Sequence, residues 1–172
     1  MVLKKILAWT IVLLISWLTQ DCFTFRLTTK DASIPTEAKT ISVQYFQNMA
    51  RIVEPVLSQQ ITDALKDYIQ ANSRLILVNG AGDLDFEGTV TGYDVKPVSI
   101  TSDDQAAQNR FTITLKVKYT CSVKEDMDFE ANFSRYEDFG SSENFEDVKA
   151  EITERILKLL IEDIYNKAFV NW

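Results

Sequence analysis

Four residue groups in this chain are of types that could do chemistry. Asp83, Asp85 and Glu87 alternate through DLDFE, so on an extended strand their carboxylates project to one side. That set has the composition of a calcium site or of a catalytic acid–base pair. The solvated face of a strand in an acidic protein explains the same spacing without a ligand, and no metal is expected. Cys121 is a thiol, but it falls among Phe111, Leu115 and Tyr119 on an apolar alternation, and the sequence holds no histidine to activate it. It reads as a small core residue. The turn Asn79–Asp83 (NGAGD) holds two glycines but lacks the lysine of a P-loop and the spacing of a dinucleotide fingerprint. Cys22 differs from all of these. Lys4 and Lys5 precede an uncharged apolar run, Ile6–Leu18, and Thr19-Gln20-Asp21 lead into the cysteine. The run is shorter than the roughly 20 residues of a spanning helix and close to a signal-peptide core. A cysteine at that place is where bacterial lipoproteins are cleaved and acylated. Residues 1–21 are therefore expected to be a lipoprotein signal peptide, and residues 22–37 an acylated tether. Asp21 stands where the processing peptidase prefers a small residue.

Composition removes several classes. The formal net charge is −7, and removal of residues 1–21 makes the remainder more acidic, which argues against nucleic-acid binding. Without histidine, serine–histidine triads, cysteine–histidine dyads and most zinc sites are excluded. Two cysteines are too few for a disulfide scaffold. No catalytic residue or cofactor is expected.

The elements that must position these groups follow from periodicity. Phe23–Leu27 suits a tether or an edge strand. Thr40–Phe46 alternates Ile41, Val43 and Tyr45 against Ser42 and Gln44, which predicts a strand with one buried face. Pro55 is expected to open a helix to Ala71, with Leu57, Ile61, Ala64, Leu65, Tyr68 and Ile69 on its apolar stripe and Thr62 mostly off it. Leu75–Val78 reads as a short strand. In Leu84–Val95, Leu84, Phe86, Val90 and Tyr93 face one way, and Gly88 and Gly92 mark a bulge or a close approach. Arg110–Val123 alternates without a break: Phe111 to Val123 on the odd positions, Thr112, Thr114, Lys116, Lys118, Thr120 and Ser122 on the even ones. Phe129, Ala131 and Phe133 continue on a hairpin partner. Ser141 or Ser142 is expected to cap a final helix carrying Phe145, Val148, Ile152, Ile156, Leu159 and Leu160. Its apolar arc widens between Ile156 and Phe169, which calls for a second buried contact, either the first helix or a different chain, the first helix foremost. The order predicts an α+β fold, a two-layer sandwich of a mostly antiparallel or mixed β-sheet with two helices on one face, spanning residues 38–172 as a single domain.

Six segments in order, AKTISVQYF (38–46), LSQQITDALKD (57–67), RLILVN (74–79), DLDFEGTVTGY (83–93), FSRYEDF (133–139) and EDIYNKAFVNW (162–172), resemble the lipopolysaccharide-assembly lipoprotein family, LptE, in its Bacteroidetes form. The resemblance implies a non-enzymatic outer-membrane lipoprotein on the periplasmic side, acylated at Cys22. It implies a plug inside the lumen of an LptD-type β-barrel that helps the barrel assemble and lipopolysaccharide reach the outer leaflet. Asp21 and Phe23 depart from the small residue and glycine usual around the family's cysteine. Lys116 and Lys118 are candidates for contact with headgroup phosphates of lipopolysaccharide, although a solvated strand face accounts for either one. Tyr93, Tyr136 and Trp172 could be partner contacts, with core or rim packing the plainer reading.

Two other classes compete. One is a lipid-carrying or tethering outer-membrane lipoprotein that pilots another complex. The other is a periplasmic hydrolase using the carboxylates between Asp83 and Glu87.

Overall fold

The computed structural model describes residues 34–98 and 107–170. Cys22, the expected signal peptide, the Phe23–Leu27 segment and Trp172 lie outside the described residues.

One mixed sheet forms the platform. Its strands are β1 (Thr40–Val43), β2 (Gln47–Asn48), β3 (Ile76–Leu77), β4 (Leu84–Val98), β5 (Gln108–Cys121) and β6 (Phe129–Gly140). The spatial order is β3-β1-β4-β5-β6, with β2 pairing the same side of β4 as β1, farther along. β4, β5 and β6 make an antiparallel meander, whereas β1 and β2 run parallel to β4, and β3 runs parallel to β1. Helices α1 (Leu57–Asn72) and α2 (Phe145–Phe169) cover one face.

The alternation of β5 builds the core as expected. Phe111, Ile113, Leu115, Val117, Tyr119 and Cys121 are all buried, whereas Val123, past the strand end, is exposed. Leu84, Phe86, Val90 and Tyr93 join them from β4. Both glycines of β4 have a reason. The pairing register with β5 shifts between Val90 and Gly92, so a bulge lies there. At Gly88, a Cβ would overlap the ring of Phe46, which packs into the space the missing side chain leaves.

The helices share one layer. Leu57, Ile61, Leu65 and Ile69 point into the core from α1, and Ile152, Ile156, Leu160 and Ile164 from α2. The wider arc of α2 is used against α1: Tyr165 donates its hydroxyl to the Asn72 carbonyl at 2.6 Å and meets Tyr68 edge-on at 5.2 Å. No helix among the described residues is long and apolar enough to cross a membrane.

Several local expectations are corrected. β1 ends at Val43, so Tyr45 is 56% exposed and Phe46, not Tyr45, fills the core. Pro55 sits ahead of the helix, in a turn in which the Leu57 N–H donates to the Glu54 carbonyl, a position its fixed φ suits. The cap of α2 is Asn144, whose side-chain oxygen accepts the Glu146 N–H, because the strand and a turn use up Ser141 and Ser142. β3 is only two residues long, and Ile76 on it is exposed. Thr62 is buried: its hydroxyl donates to the Ser58 carbonyl and accepts the Phe46 N–H. Leu159 is partly exposed.

Candidate functional site

The face of the sheet away from the helices carries the polar positions of β4, β5 and β6, and it holds most of the residues that sequence reasoning singled out. Lys118 stands directly opposite Glu87 on β4 and Glu130 on β6. Its ammonium lies 3.6 Å from the Glu87 carboxylate. Lys116, one step along, reaches Glu130 at 2.7 Å. All four side chains are about half exposed, so each pair is worth little in stability and exchanges readily with water or another charge. Together with Gln44, Gln47, Gly88 and Thr89 they line a shallow groove of about 420 Å³. The groove has polar walls and cations already balanced by carboxylates, and among the described residues no cluster has the acidic or sulfur donors of a metal site.

The three alternating carboxylates do not converge on a ligand. One oxygen of Asp83 accepts the backbone N–H groups of Lys39 and Thr40 at 2.8 and 2.9 Å. Those N–H bonds hold its carboxyl below the ordinary range. Asp85 accepts from the Ser42 hydroxyl and, at 2.9 Å, from the Gln44 amide. Glu87 pairs with Lys118. Two of the three thus fasten β1 to β4, and the third belongs to the groove. Cys121 is buried in the core, and its backbone N–H donates to Asp128 at 2.7 Å. The thiol is a packing group.

A second cluster on the same face was not anticipated. Arg110 makes a two-pronged ion pair with Asp138, at 2.7 and 2.8 Å, and its guanidinium lies 3.6 Å over the Tyr136 ring. The hydrogen bonds from Arg110 push the Asp138 carboxyl down, and those to Asp138 push the guanidinium up. Tyr136 is exposed, with Arg110 over its ring, whereas Tyr93 is a core residue. On the helix side of β6, Arg135 pairs with Asp163 of α2 at 2.6 and 2.7 Å, and Glu137 pairs with Arg155 of α2. Following the alternation of FSRYEDF past Phe133 puts Arg135 and Glu137 on the helix side. The charges of α2 that meet them lie far away in sequence.

These features define a class: an α+β fold with one sealed, helix-covered sheet face and one solvated, charge-paired face. The sequence model of the lipopolysaccharide-assembly family LptE matches residues 38–168, and the chain belongs to that family. Its role is therefore that of a lipopolysaccharide-assembly lipoprotein. No curated protein matches the chain. Among solved structures it is similar in fold to a lipoprotein, lipoprotein B, from Nitrosomonas europaea: TM-score 0.52, 11% identity, covering 82% of this chain and 87% of that one. A Xanthomonas campestris protein gives TM-score 0.53 at 12% identity over 79% and 86%. A homologue of neuraminyllactose-binding haemagglutinin from Helicobacter pylori gives 0.52 at 8% over 77% and 84%. At such identities these likenesses show the fold alone, and one fold serves many partners.

Proposed function

We propose that this protein is a non-enzymatic outer-membrane lipoprotein. It is cleaved before Cys22, acylated there, and seated on the periplasmic side in the lumen of an LptD-type β-barrel. There it assists assembly of the barrel and passage of lipopolysaccharide to the outer leaflet. The observation that carries this reading is the family match, which extends over nearly the whole folded domain. The physics agrees with it. A barrel lumen is polar and wet, so a plug needs a firm core behind a hydrophilic surface. The open sheet face supplies one: threonines, lysines and carboxylates stand over a core that the helices seal.

Within this reading Lys116 and Lys118 meet headgroup phosphates by exchanging Glu130 and Glu87 for them. Half-exposed pairs permit that exchange at small cost. The N-terminal lipid supplies the anchor, since several acyl chains on one terminus bind a membrane stably where one does so marginally.

The test is purification of the tagged protein from its native membrane in gentle detergent, with mass spectrometry of what stays bound. A near-stoichiometric large β-barrel is expected. Recovery with lipid but without a barrel, across several mild detergents, would sink the plug reading in favour of a lipid carrier or tether. Separately, Cys22→Ser is expected to lose the acyl mass and leave the outer-membrane fraction. A variant of unaltered mass that stays there would remove the anchor from the proposal.

A further inference from the structure

Among the described residues β6 is a sheet edge, and the pairing pattern shows which of its backbone groups face outward. The Ser122 N–H donates to the Asp83 carbonyl, so even-numbered residues of β5 turn their backbone groups toward β4. Odd-numbered ones turn toward β6: the Cys121 N–H meets Asp128 on that side, and the Ala107 carbonyl accepts the Ser141 N–H. With Tyr119 opposite Phe129 and Phe111 opposite Glu137, the inward-bonded residues of β6 are the odd ones. Glu130, Asn132, Ser134, Tyr136, Asp138 and Gly140 therefore present their N–H and C=O groups to the free edge. Only Gly140 has these groups satisfied among the described residues, by the side chain and backbone of Glu143.

Edges of this kind are usually blunted by brevity, proline, a bulge or charged side chains, and of these β6 has only the charges, Glu130, Arg135, Glu137 and Asp138. β6 runs from Phe129 to Gly140 with no proline, and its ladder to β5 keeps one register throughout. It is also tied to its neighbours: Arg135 and Glu137 to α2, and Asp138 to Arg110. The opposite edge, β3, offers two residues.

We propose that β6 accepts an extended segment of a partner polypeptide as a further antiparallel strand, with cationic side chains opposite Glu130 and Asp138. Cross-strand rows on the solvated face point to those cations. Glu87, Lys118 and Glu130 stand opposite one another with alternating sign, and the row ends on an acid at the edge. Lys96, Arg110 and Asp138 form a second row that also ends on an acid. Opposite charges across strands stabilise a pair and like charges destabilise it. A second copy paired antiparallel about Ser134 would set Glu130 against Asp138, acid on acid, which disfavours self-pairing in that register. The inference does not depend on the barrel reading, because it concerns which segment the edge takes, not which protein supplies it.

The test uses the purified full-length acylated protein in detergent, without a barrel, and hydrogen exchange resolved by residue. The probe is a synthetic peptide of alternating threonine and valine with lysines spaced to meet Glu130 and Asp138. The amides of Glu130, Asn132, Ser134, Tyr136 and Asp138 are expected to exchange freely alone and to slow by about tenfold or more with the peptide, as strand addition requires. A version ended in glutamate is expected to protect them less. Ser134→Pro removes an outward N–H and one exposed hydroxyl contact to Thr114 but no ladder bond to β5, so it is expected to fold and to lose the protection; Asn132→Pro serves the same end should that variant misfold. Equal protection by both peptides, or none at saturation, overturns the proposal. So does protection that appears with protein concentration and a dimer, which assigns the edge to a second copy. Protection without peptide that vanishes on deleting residues 23–33 assigns the edge to the chain's own N-terminal segment and overturns the proposal as well.

Discussion

The two sides of the sheet are built on different principles. The meander of β4, β5 and β6 is long, antiparallel and specified by unbroken alternation, so each strand pairs with its neighbour in sequence. The side formed by β1, β2 and β3 is short and parallel, and it needs devices from elsewhere. Asp83 ties down the N–H groups of Lys39 and Thr40, the Thr40 hydroxyl accepts the Asp83 N–H, and Phe46 plugs into the space at Gly88. The contrast shows that a strand too short to hold itself by its ladder is held by side chains that bridge distant segments.

Breaking the plug is the strongest way to test this contrast. Phe46 is fully buried, and Phe46→Ala is expected to cost about 3–5 kcal/mol in urea denaturation. Gly88→Ala should also destabilise, and the double variant should lose less than the sum, because the cavity left by Phe46 receives the new methyl. Additive losses would mean that Phe46 and Gly88 are not coupled.

On the meander side, Cys121→Ala removes one buried sulfur and is expected to cost about 1 kcal/mol while leaving assembly intact. An inactive Cys121→Ala protein of normal stability would give the thiol a role beyond packing.

Asp83 and Asp138 sharpen the comparison through pH. Both carboxyls are held below their ordinary value of 3.8, Asp83 by backbone N–H groups and Asp138 by Arg110. A folded-state value below the unfolded one means a contribution fully present above the unfolded value and lost as pH falls through the folded one. Stability is therefore expected to decline below about pH 4 in acid titrations followed by circular dichroism. Asp83→Asn should flatten that decline and lower the melting temperature more than Asp138→Asn does, since Asp83 anchors two backbone groups. The reverse order would make the β1 side less dependent on its bridges than the structure indicates.

The smallest effect is expected on the solvated face. Lys116→Ala with Lys118→Ala should change stability by less than about 1 kcal/mol, as exposed pairs do. A larger loss would show that the groove is structural, and loss of lipopolysaccharide delivery at unchanged stability would support the headgroup contact.

Legibility in sequence followed the same division. The odd positions of β5, the apolar stripe of α1, the hairpin into β6 and the special glycines of β4 could be read directly, because burial there repeats with the period of the element. The exchange of Tyr45 for Phe46 could not, because it depends on where β1 stops and on the space left at Gly88, far along the chain. The polar face was legible as polar, with Lys116 and Lys118 on it. The Arg110–Asp138–Tyr136 cluster and the pairs from β6 to α2 were not, since their partners meet only after the sheet forms.

The sequence by itself determined the α+β class, the core-facing residues of the long strands, the acidic and histidine-free chemistry, and the resemblance to the LptE family over most of the domain. These are local or compositional properties, set by side-chain periodicity and residue type. Only the tertiary structure decided the parallel placement of β1, β2 and β3, the use of Asp83 and Asp85 as fasteners, the second contact of α2, and the free edge of β6. Each of those rests on groups remote in the chain, whose approach is fixed by the packing of the whole and by no pattern within any one segment.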